Sequence, residues 1–190
     1  MKKIGVLALQ GGVREHVRMV EKCSAKAIEV RTRNDLDSAD ALVLPGGEST
    51  TILKLLKRIC LDRDIIRRAG EGMPVYGTCA GAIILAKHVG GNTKTGLKGL
   101  GLIDVCVERN FFGRQADSFE EKVQIQGLGG FRAVFIRAPV IRKTGNNVDV
   151  LSRLRGDIIM ARQGLVLVST FHPELTNDAR VHRFFSSFLK

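Results

Sequence analysis

The chain of 190 residues lacks long apolar runs, and aromatic residues make up only 5% of it. A membrane-spanning helix needs about 20 consecutive apolar residues, and no stretch of this sequence approaches that length. The four cysteines, at positions 23, 60, 79 and 106, include no C-x-x-C pair and have no histidine at ligand spacing. The sequence therefore argues against a structural zinc site and against a secreted disulfide scaffold, and each thiol has to be judged by its own surroundings.

Negative charge is also scarce, because 30 Lys and Arg residues outnumber 19 Asp and Glu residues and leave a net charge of +11. Such an excess raises the question of nucleic-acid binding. The basic residues are scattered from Lys2 to Lys190, without a long block and with few aromatics on which bases could stack. A solvated basic surface, or a docking face for an acidic partner, is favoured over nucleic-acid recognition.

The length and the hydrophobic content of 44% predict one globular domain over residues 1–190. The opening residues, basic and then apolar, imitate the start of a signal peptide. The apolar part ends at Gln10-Gly11-Gly12, however, and charged residues follow it instead of a small-residue cleavage site. We therefore expect residues 4–9 to form the first core strand of a cytoplasmic protein.

Apolar runs alternate with amphipathic segments along the chain, a pattern typical of a parallel sheet covered by helices on both faces. The predicted fold class is α/β, with three α/β/α layers around a mostly parallel central sheet. The predicted strands are 4–9, 41–44, 75–77, 134–136 and 165–171, and the predicted helices are 13–23, 50–57, 63–69, 80–87 and 179–189. Between residues 90 and 130 the glycine-rich, irregular pattern indicates loops, hairpins or short antiparallel strands.

The most informative segment is Gly77-Thr78-Cys79-Ala80-Gly81, which lies between an apolar strand and a helix-forming run. Glycines two residues before and two after Cys79 permit the sharp strand-to-helix turn of a nucleophile elbow. A helix that starts just beyond the thiol would favour its ionised, reactive form. The alternative is that Cys79 is a small buried apolar residue, as free cysteines often are. For Cys23, Cys60 and Cys106 we favour that packing role.

A thiol nucleophile needs a base, and the base needs an orienting acceptor. His172 and Glu174 follow the last predicted strand, and residues two apart in extended chain project to the same side. Glu174 could therefore accept from one imidazole nitrogen while the other faces Cys79. The alternative is a strand-end histidine beside an unrelated acid. We expect His16 and His182 to be exposed residues of helices and His88 to lie at a helix end.

Acyl transfer also requires donors for the oxyanion of the tetrahedral intermediate. Two backbone sources are plausible: the amide of Ala80, directly after the thiol, and the amide of Gly47 in the Gly46-Gly47 turn. The alternative role of this second segment is to turn the chain and let Glu48-Ser49-Thr50 cap a helix. Both roles can hold together.

Several motifs resemble those of the class I glutamine amidotransferases, a family with a Cys-His-Glu triad on a flavodoxin-like, three-layer α/β/α fold. The elbow and Phe171-His172-Pro173-Glu174 are shared across that family. Other segments point to the glutaminase subunits of pyridoxal 5′-phosphate synthases. These segments are residues 5–11 (GVLALQG), 44–51 (LPGGESTT) and 109–115 (RNFFGRQ), and residues 135–139 (FIRAP) belong to the same nearly end-to-end match.

This resemblance implies that Cys79 attacks glutamine, that His172 transfers protons and that Glu174 positions His172. It also implies that ammonia passes to a separate (β/α)₈-barrel synthase subunit in a hetero-oligomeric complex, and that no cofactor and no metal is needed. Gln10 is implied to belong to the site loop next to the synthase, although it could be a surface amide. The residues implied at the glutamine site are Gly46, Gly47, Glu48, Ser49, Arg109, Ile136 and Arg137.

Three other functions remain open at this point. The chain could serve a different synthase, or it could be a hydrolase or chaperone of the DJ-1 type. In many DJ-1-type proteins a histidine directly follows the nucleophile, whereas this chain has Ala80 there. A non-catalytic interaction module or nucleic-acid binder on the same fold is the third possibility, against which the intact set of Cys79, His172 and Glu174 speaks.

Overall fold

The fold was analysed in a computed structural model, which describes residues 1–90, 98–109 and 118–189. Most of the predicted 109–115 motif, residues 110–115, lies outside these ranges. The described strands are β1 (Lys3–Leu7), β2 (Lys26–Val30), β3 (Ala41–Leu44), β4 (Val75–Thr78), β5 (Ala86–Gly90), β6 (Ile103–Glu108), β7 (Phe119–Ile125), β8 (Gly129–Phe135), β9 (Val140–Thr144), β10 (Asp149–Leu154), β11 (Asp157–Gln163) and β12 (Val166–Ser169). The described helices are α1 (Val13–Glu21), α2 (Arg33–Asp37), α3 (Ser49–Arg58), α4 (Leu61–Gly70), α5 (Ala80–Leu85) and α6 (Arg180–Ser186).

The strands form one large sheet in the spatial order β2-β1-β3-β4-β12-β11-β9-β6-β5, with β10 paired to β11 beside this path. The first five strands in this order run parallel to one another. From β12 through β11 and β9 to β6 the neighbours are antiparallel. A separate antiparallel pair, β7 and β8, stands outside the sheet. The parallel half holds the short strands whose carboxyl ends share one edge.

Alternate residues of the parallel strands enter two different apolar cores, because successive side chains of a strand point to opposite faces. Leu42 and Leu44 of β3 pack with helices α2 to α5 on one face. Ala41 and Val43 pack on the other face, where α1, α6 and the β7–β8 pair supply the covering side chains. All four residues of β3 are buried. Burial on both faces is the physical reason for the continuous apolar run in this strand and for the three layers.

The predicted strands and helices of the first 80 residues agree with the structure within a few residues at each end. Two elements there, β2 and α2, were not predicted. The predicted helix over 80–87 is too long, since α5 ends at Leu85 and β5 begins at Ala86. The segment 134–136 does not join the parallel sheet and belongs instead to the antiparallel β7–β8 pair. Within the described ranges, no helix combines the length and apolarity that crossing a bilayer would need.

The turn from β4 into α5 brings the helix very close to β3. A Cβ atom on Gly81 would lie only 2.1 Å from the carbonyl oxygen of Leu44. This contact is with backbone in the middle of the sheet, so it cannot be relieved by turning a side chain. Gly81 therefore serves close packing of helix on strand, and Cys79, not a glycine, carries the unusual backbone angles of the turn.

Gly81→Ala is expected to lower the free energy of unfolding by about 1–3 kcal/mol or more, the usual cost of overpacking. Gly70→Ala is the matched control, because Gly70 ends α4 and a Cβ there meets nothing within 4 Å. The control should be neutral or stabilising by up to about 1 kcal/mol, since alanine restricts the unfolded chain. Urea unfolding of both variants measures the difference, and equal stabilities would contradict the packing role of Gly81.

Candidate active site

A cavity of about 390 Å³ opens at the carboxyl ends of the parallel strands, where α/β sheets commonly bind ligands. The loops that follow β1, β3, β4, β6, β8 and β12 form its walls. All but one of the site residues predicted from the sequence line this cavity. They are Gly46, Gly47, Glu48, Ser49, Cys79, Ala80, Arg109, Ile136, Arg137, His172 and Glu174. The exception, Gln10, contacts the loop behind the cavity wall.

Cys79 sits at the sharp turn between β4 and α5, with φ 48° and ψ −101°. A residue other than glycine adopts such a positive φ only at a cost of about 1–3 kcal/mol, and strained residues of this kind cluster at functional sites. Its amide donates to the carbonyl of Ser169 at 2.8 Å, which ties the turn to β12. The side chain is 8% exposed, and its Sγ lies 4.0 Å from the carbonyl oxygen of Ile136. The thiol thus reaches the cavity without being open to bulk water.

His172 lies between the thiol and a carboxylate. Its Nδ1 is 2.7 Å from Oε1 of Glu174, and the Cys79 thiol is close enough to the imidazole to contribute to its raised pKa. Because Glu174 occupies Nδ1, the nitrogen left for the sulfur is Nε2. The backbone amide of His172 donates to Val134 at 2.8 Å, so the β7–β8 pair supports the histidine from outside the main sheet. Glu174 belongs to a short 3₁₀ helix, Pro173–Leu175, and not to the extended chain expected from the sequence.

Interactions with neighbouring polar groups outweigh the effect of burial on the pKa values of His172 and Glu174. Burial alone would lower the pKa of His172, but interactions with Cys79 and Glu174 raise it to about 10. Burial alone would raise the pKa of Glu174, but interactions with His16 and His172 hold that pKa well below its usual range. At neutral pH the carboxylate is therefore ionised, and the imidazole retains a proton.

Gly46 lets the imidazole approach the loop after β3. A Cβ atom at this position would lie 2.4 Å from Cε1 of His172. The segment after β1 holds the same loop by two hydrogen bonds. The Gly12 amide donates to the Gly46 carbonyl at 3.1 Å, and the Gln10 side chain accepts from the Glu48 amide at 2.8 Å. Gln10 thereby fixes a loop that lines the cavity.

The polar rim of the cavity carries charges of both signs. Glu48 caps α3 through a 3.2 Å contact from the Thr50 amide, so the capping role left open by the sequence is present in the structure. The same Glu48 oxygen lies 3.3 Å from Nη2 of Arg109. Arg137 lines the cavity with a positive φ of 45°, a second strained residue at this site.

Some predictions about the remaining histidines and cysteines were wrong. His16 and His182 were expected to be exposed, but both are buried, because their helices α1 and α6 turn these faces toward the sheet. His88 is not at a helix end and lies in β5. Cys60 is not a packing residue, since it is exposed in the turn between α3 and α4. Sequence reasoning also missed Glu15, which lines the cavity.

Solved structures show which class of protein has this fold. A crystal structure described as that of a glutamine amidotransferase superposes with a TM-score of 0.92 and is 48% identical, with 98% of each chain covered. The structure of PurLQS from Thermotoga maritima superposes with a TM-score of 0.69 at 17% identity, covering 100% of this chain and 99% of that one, and shows the fold alone. The class is that of the glutamine amidotransferases.

The chain belongs to the SNO glutamine amidotransferase family, whose family model matches residues 6–189. It is 47% identical to the pyridoxal 5′-phosphate synthase subunit PdxT of Thermotoga neapolitana over 190 residues, covering 99% of this chain and 100% of the relative. The subunit of the same name from Thermus thermophilus is 52% identical over 184 residues, covering 96% and 95%. The family and fold predicted from the sequence are confirmed, and the DJ-1-type alternative is excluded.

Proposed function

We propose that this protein is the glutaminase subunit of a pyridoxal 5′-phosphate synthase, which hydrolyses L-glutamine to L-glutamate and ammonia. The observation that carries the proposal is the position of His172, which is bound to Glu174 and lines the same cavity at the strand ends as Cys79, with which it interacts. The names of relatives at about half identity supply the biosynthetic context.

In the first half of the proposed reaction, the sulfur of Cys79 attacks the side-chain carboxamide carbon of glutamine, and its proton resides on His172. The tetrahedral intermediate collapses when His172 gives this proton to the departing nitrogen, which leaves as ammonia. The product bound to the protein is a γ-glutamyl thioester. A pKa of about 10 for His172 suits this role, because the imidazole is protonated when the leaving group needs the proton.

In the second half, a water molecule takes the place of ammonia. His172 accepts a proton from this water, and the oxygen attacks the thioester carbon. Glutamate leaves as the carbon–sulfur bond breaks, and Cys79 is regenerated. Glu174 holds the imidazole in one orientation through Nδ1 and stabilises its positive charge during both halves.

The developing oxyanion is assigned to the backbone amides of Gly47 and Ala80. Ala80 directly follows the nucleophile, and Gly47 belongs to the loop that faces it across the cavity. Loss of one oxyanion donor typically slows turnover by about 10²- to 10³-fold.

The α-amino and α-carboxylate groups of glutamine require partners of opposite charge. We assign the carboxylate to Arg109 and Arg137 and the ammonium to Glu48, since guanidinium groups match carboxylates and a carboxylate matches an amine. Gly46, Ser49 and Ile136 complete the binding surface. The cavity volume falls in the range of about 300–1,000 Å³ that is usual for small-molecule sites.

Ammonia released into water would become protonated, so the proposal includes direct transfer to a (β/α)₈-barrel synthase subunit in a hetero-oligomeric complex. Gln10 is placed next to that interface, where it would connect synthase docking with the loop at residues 46–48. A cytoplasmic location is also proposed, and the four free cysteines support it because reduced thiols are typical of that compartment.

The proposal predicts glutamate and ammonia in equal amounts from glutamine, with a higher rate when the synthase subunit is added. The measurement is glutamate release by the purified chain, alone and with a saturating amount of the synthase from a related organism. Asparagine serves as a control substrate, because its shorter side chain does not bring the carboxamide to Cys79. No glutamate release under either condition would refute the proposal.

A further inference from the structure

Two buried histidines lie behind the carboxylate of Glu174, on the side away from the cavity. His16 comes from α1 and His182 from α6, and they are 0% and 2% exposed. Nδ1 of His16 is 3.0 Å from Nε2 of His182, and Nε2 of His16 is 3.0 Å from Oγ1 of Thr78. The same Nε2 is 3.5 Å from Oε2 of Glu174. A line of polar contacts therefore continues inward from the proposed triad to the packed face of α6.

The two oxygens of Glu174 have different partners. Oε1 is bound to His172, whereas Oε2 is buried and has no conventional hydrogen bond among the described residues. The His16 contact is thus what the protein offers to this second oxygen. Interaction with His16 is also the foremost cause of the lowered pKa of Glu174, ahead of interaction with His172.

The position of hydrogens in this line follows from the charges. Nε2 of His16 has two oxygens nearby, Oγ1 of Thr78 at 3.0 Å and Oε2 of Glu174 at 3.5 Å. A lone pair on Nε2 would be repelled by the carboxylate, so Nε2 carries a hydrogen, which is donated to Thr78 and also lies near Oε2. His182 is neutral, because burial above all, with a further contribution from the neighbouring His16, lowers its pKa to about 3. His182 can therefore share one hydrogen with Nδ1 of His16, and this bond fixes the ring plane of His16 relative to Glu174.

Packing alone does not explain this pair. The surrounding side chains include Tyr76, whose ring lies 6.0 Å from that of His182, and Phe185, which packs on Tyr76. An apolar residue at position 16 would fill such a site without burying polar nitrogens, which are costly unless they are hydrogen-bonded. The two histidines instead form a line of polar contacts that leads from His182 through His16 to Glu174.

We infer that His16 is a positioning residue for glutamine hydrolysis: its Nε2–H, which lies between Oγ1 of Thr78 and Oε2 of Glu174, attracts the carboxylate and keeps it in the orientation that leaves Oε1 on His172. This inference rests on the proposed function. Without His16, the carboxylate is free to rotate, and the imidazole that it orients loses its fixed direction toward Cys79. His16 does not line the cavity, so its replacement is not expected to change glutamine binding.

The test compares His16→Gln with His16→Met, two side chains of nearly the same length and volume. The glutamine amide places an N–H near the former Nε2 position, whereas the methionine thioether has no donor. We expect His16→Gln to keep kcat within about 3-fold of the wild type and His16→Met to lose about 10- to 10²-fold, the scale of a misplaced catalytic group. KM for glutamine should stay within about 2-fold in both, since the lost interaction acts in the chemical step.

Two further variants keep the comparison decisive. His16→Asn places its amide near the former Nδ1, toward His182 and away from Glu174, so its kcat should fall like that of His16→Met even if the methionine variant does not fold. His88→Gln, at an exposed position on β5, should leave the rate unchanged. Thermal unfolding midpoints identify any variant that is not folded at the assay temperature.

Each outcome has one meaning. Equal kcat values for the glutamine and asparagine variants, or a loss that appears in KM alone, would overturn the positioning role while leaving the proposed function intact. Absence of glutamine hydrolysis by the wild type in the presence of the synthase would instead remove the proposed function, and this inference with it.

Discussion

Cys79→Ala is expected to reduce the rate of glutamine hydrolysis by about 10⁴- to 10⁶-fold, the scale seen when a covalent nucleophile is deleted. The sulfur forms the bond to the substrate, and no other described thiol lines the cavity. The position is small and buried, so alanine removes the reactive atom with little change in volume. Glutamate release should be measured for the wild type and the variant, each with the synthase subunit present.

Cys60→Ala is the matched control for this experiment. Cys60 is also a free cysteine with a positive φ of 57°, but it is exposed in the turn between α3 and α4, away from the cavity. Its replacement should leave the hydrolysis rate unchanged. Full activity in Cys79→Ala would show that the reaction does not proceed through this thiol.

Glu174→Gln is expected to have the second-largest effect, a loss of about 10³- to 10⁴-fold in kcat. A glutamine amide at this position can donate to Nδ1 of His172 and thereby stabilise the tautomer whose hydrogen is on Nε2. That tautomer cannot accept a proton on the side that faces Cys79, and the variant also lacks the negative charge that supports the imidazolium. Replacing the acid of a Ser-His-Asp triad by its amide costs about 10⁴-fold for the same reason.

The geometry gives this prediction a clear control. Glu29→Gln makes the same chemical change on the edge strand β2, where Glu29 pairs with Arg31 at the surface, and should have no effect on the rate. Glutamine binding should be almost unchanged in Glu174→Gln, so KM stays near the wild-type value while kcat falls. A variant that retains more than about a tenth of wild-type kcat would contradict the role of Glu174 as the orienting acid.

The parallel half of the sheet was predictable from the sequence because its strands are buried on both faces. The residues of β3 and β4 are buried throughout, and such strands read as short continuous apolar runs. The helix after β3, α3, has a strong amphipathic pattern, and the starts of α3 and α5 were placed within a few residues. The family assignment, drawn from motifs at the strand ends, was confirmed by the comparisons.

The sequence indicated loops, hairpins or short antiparallel strands between residues 90 and 130, where β6 and β7 lie. Strands β5, β9, β10 and β11 were not predicted, and most strands of this half are only partly buried. Strand β6 alternates buried and half-buried residues, and β9 is buried only at its first two positions. Partners in this region come from distant parts of the chain, as when β9 joins β6 to β11. Such pairing depends on long-range contacts that a local window of sequence does not contain.

The partners of the histidines behind Glu174 could not be found from the sequence. Helical spacing puts His16 on the same face of α1 as Val13, Val17 and Val20, which indicates an inward position, but it does not show which residues His16 meets there. His182 comes from the other end of the chain and meets it only because α1 and α6 cover the same face of the sheet. The roles of Cys79, His172 and Glu174 in catalysis stay predictions, for which the geometry supplies the tests above.

By itself, the sequence determined the layered α/β architecture, the family and the chemical types of the residues at the strand ends, because these depend on local patterns of apolar residues, glycines and motifs. Only the tertiary structure decided which side chains meet. The meeting of Cys79 and His172, the buried imidazoles behind Glu174 and the support of His172 by β8 all depend on how the sheet brings remote segments together. That arrangement is set by packing over the whole fold and not by any short stretch of residues.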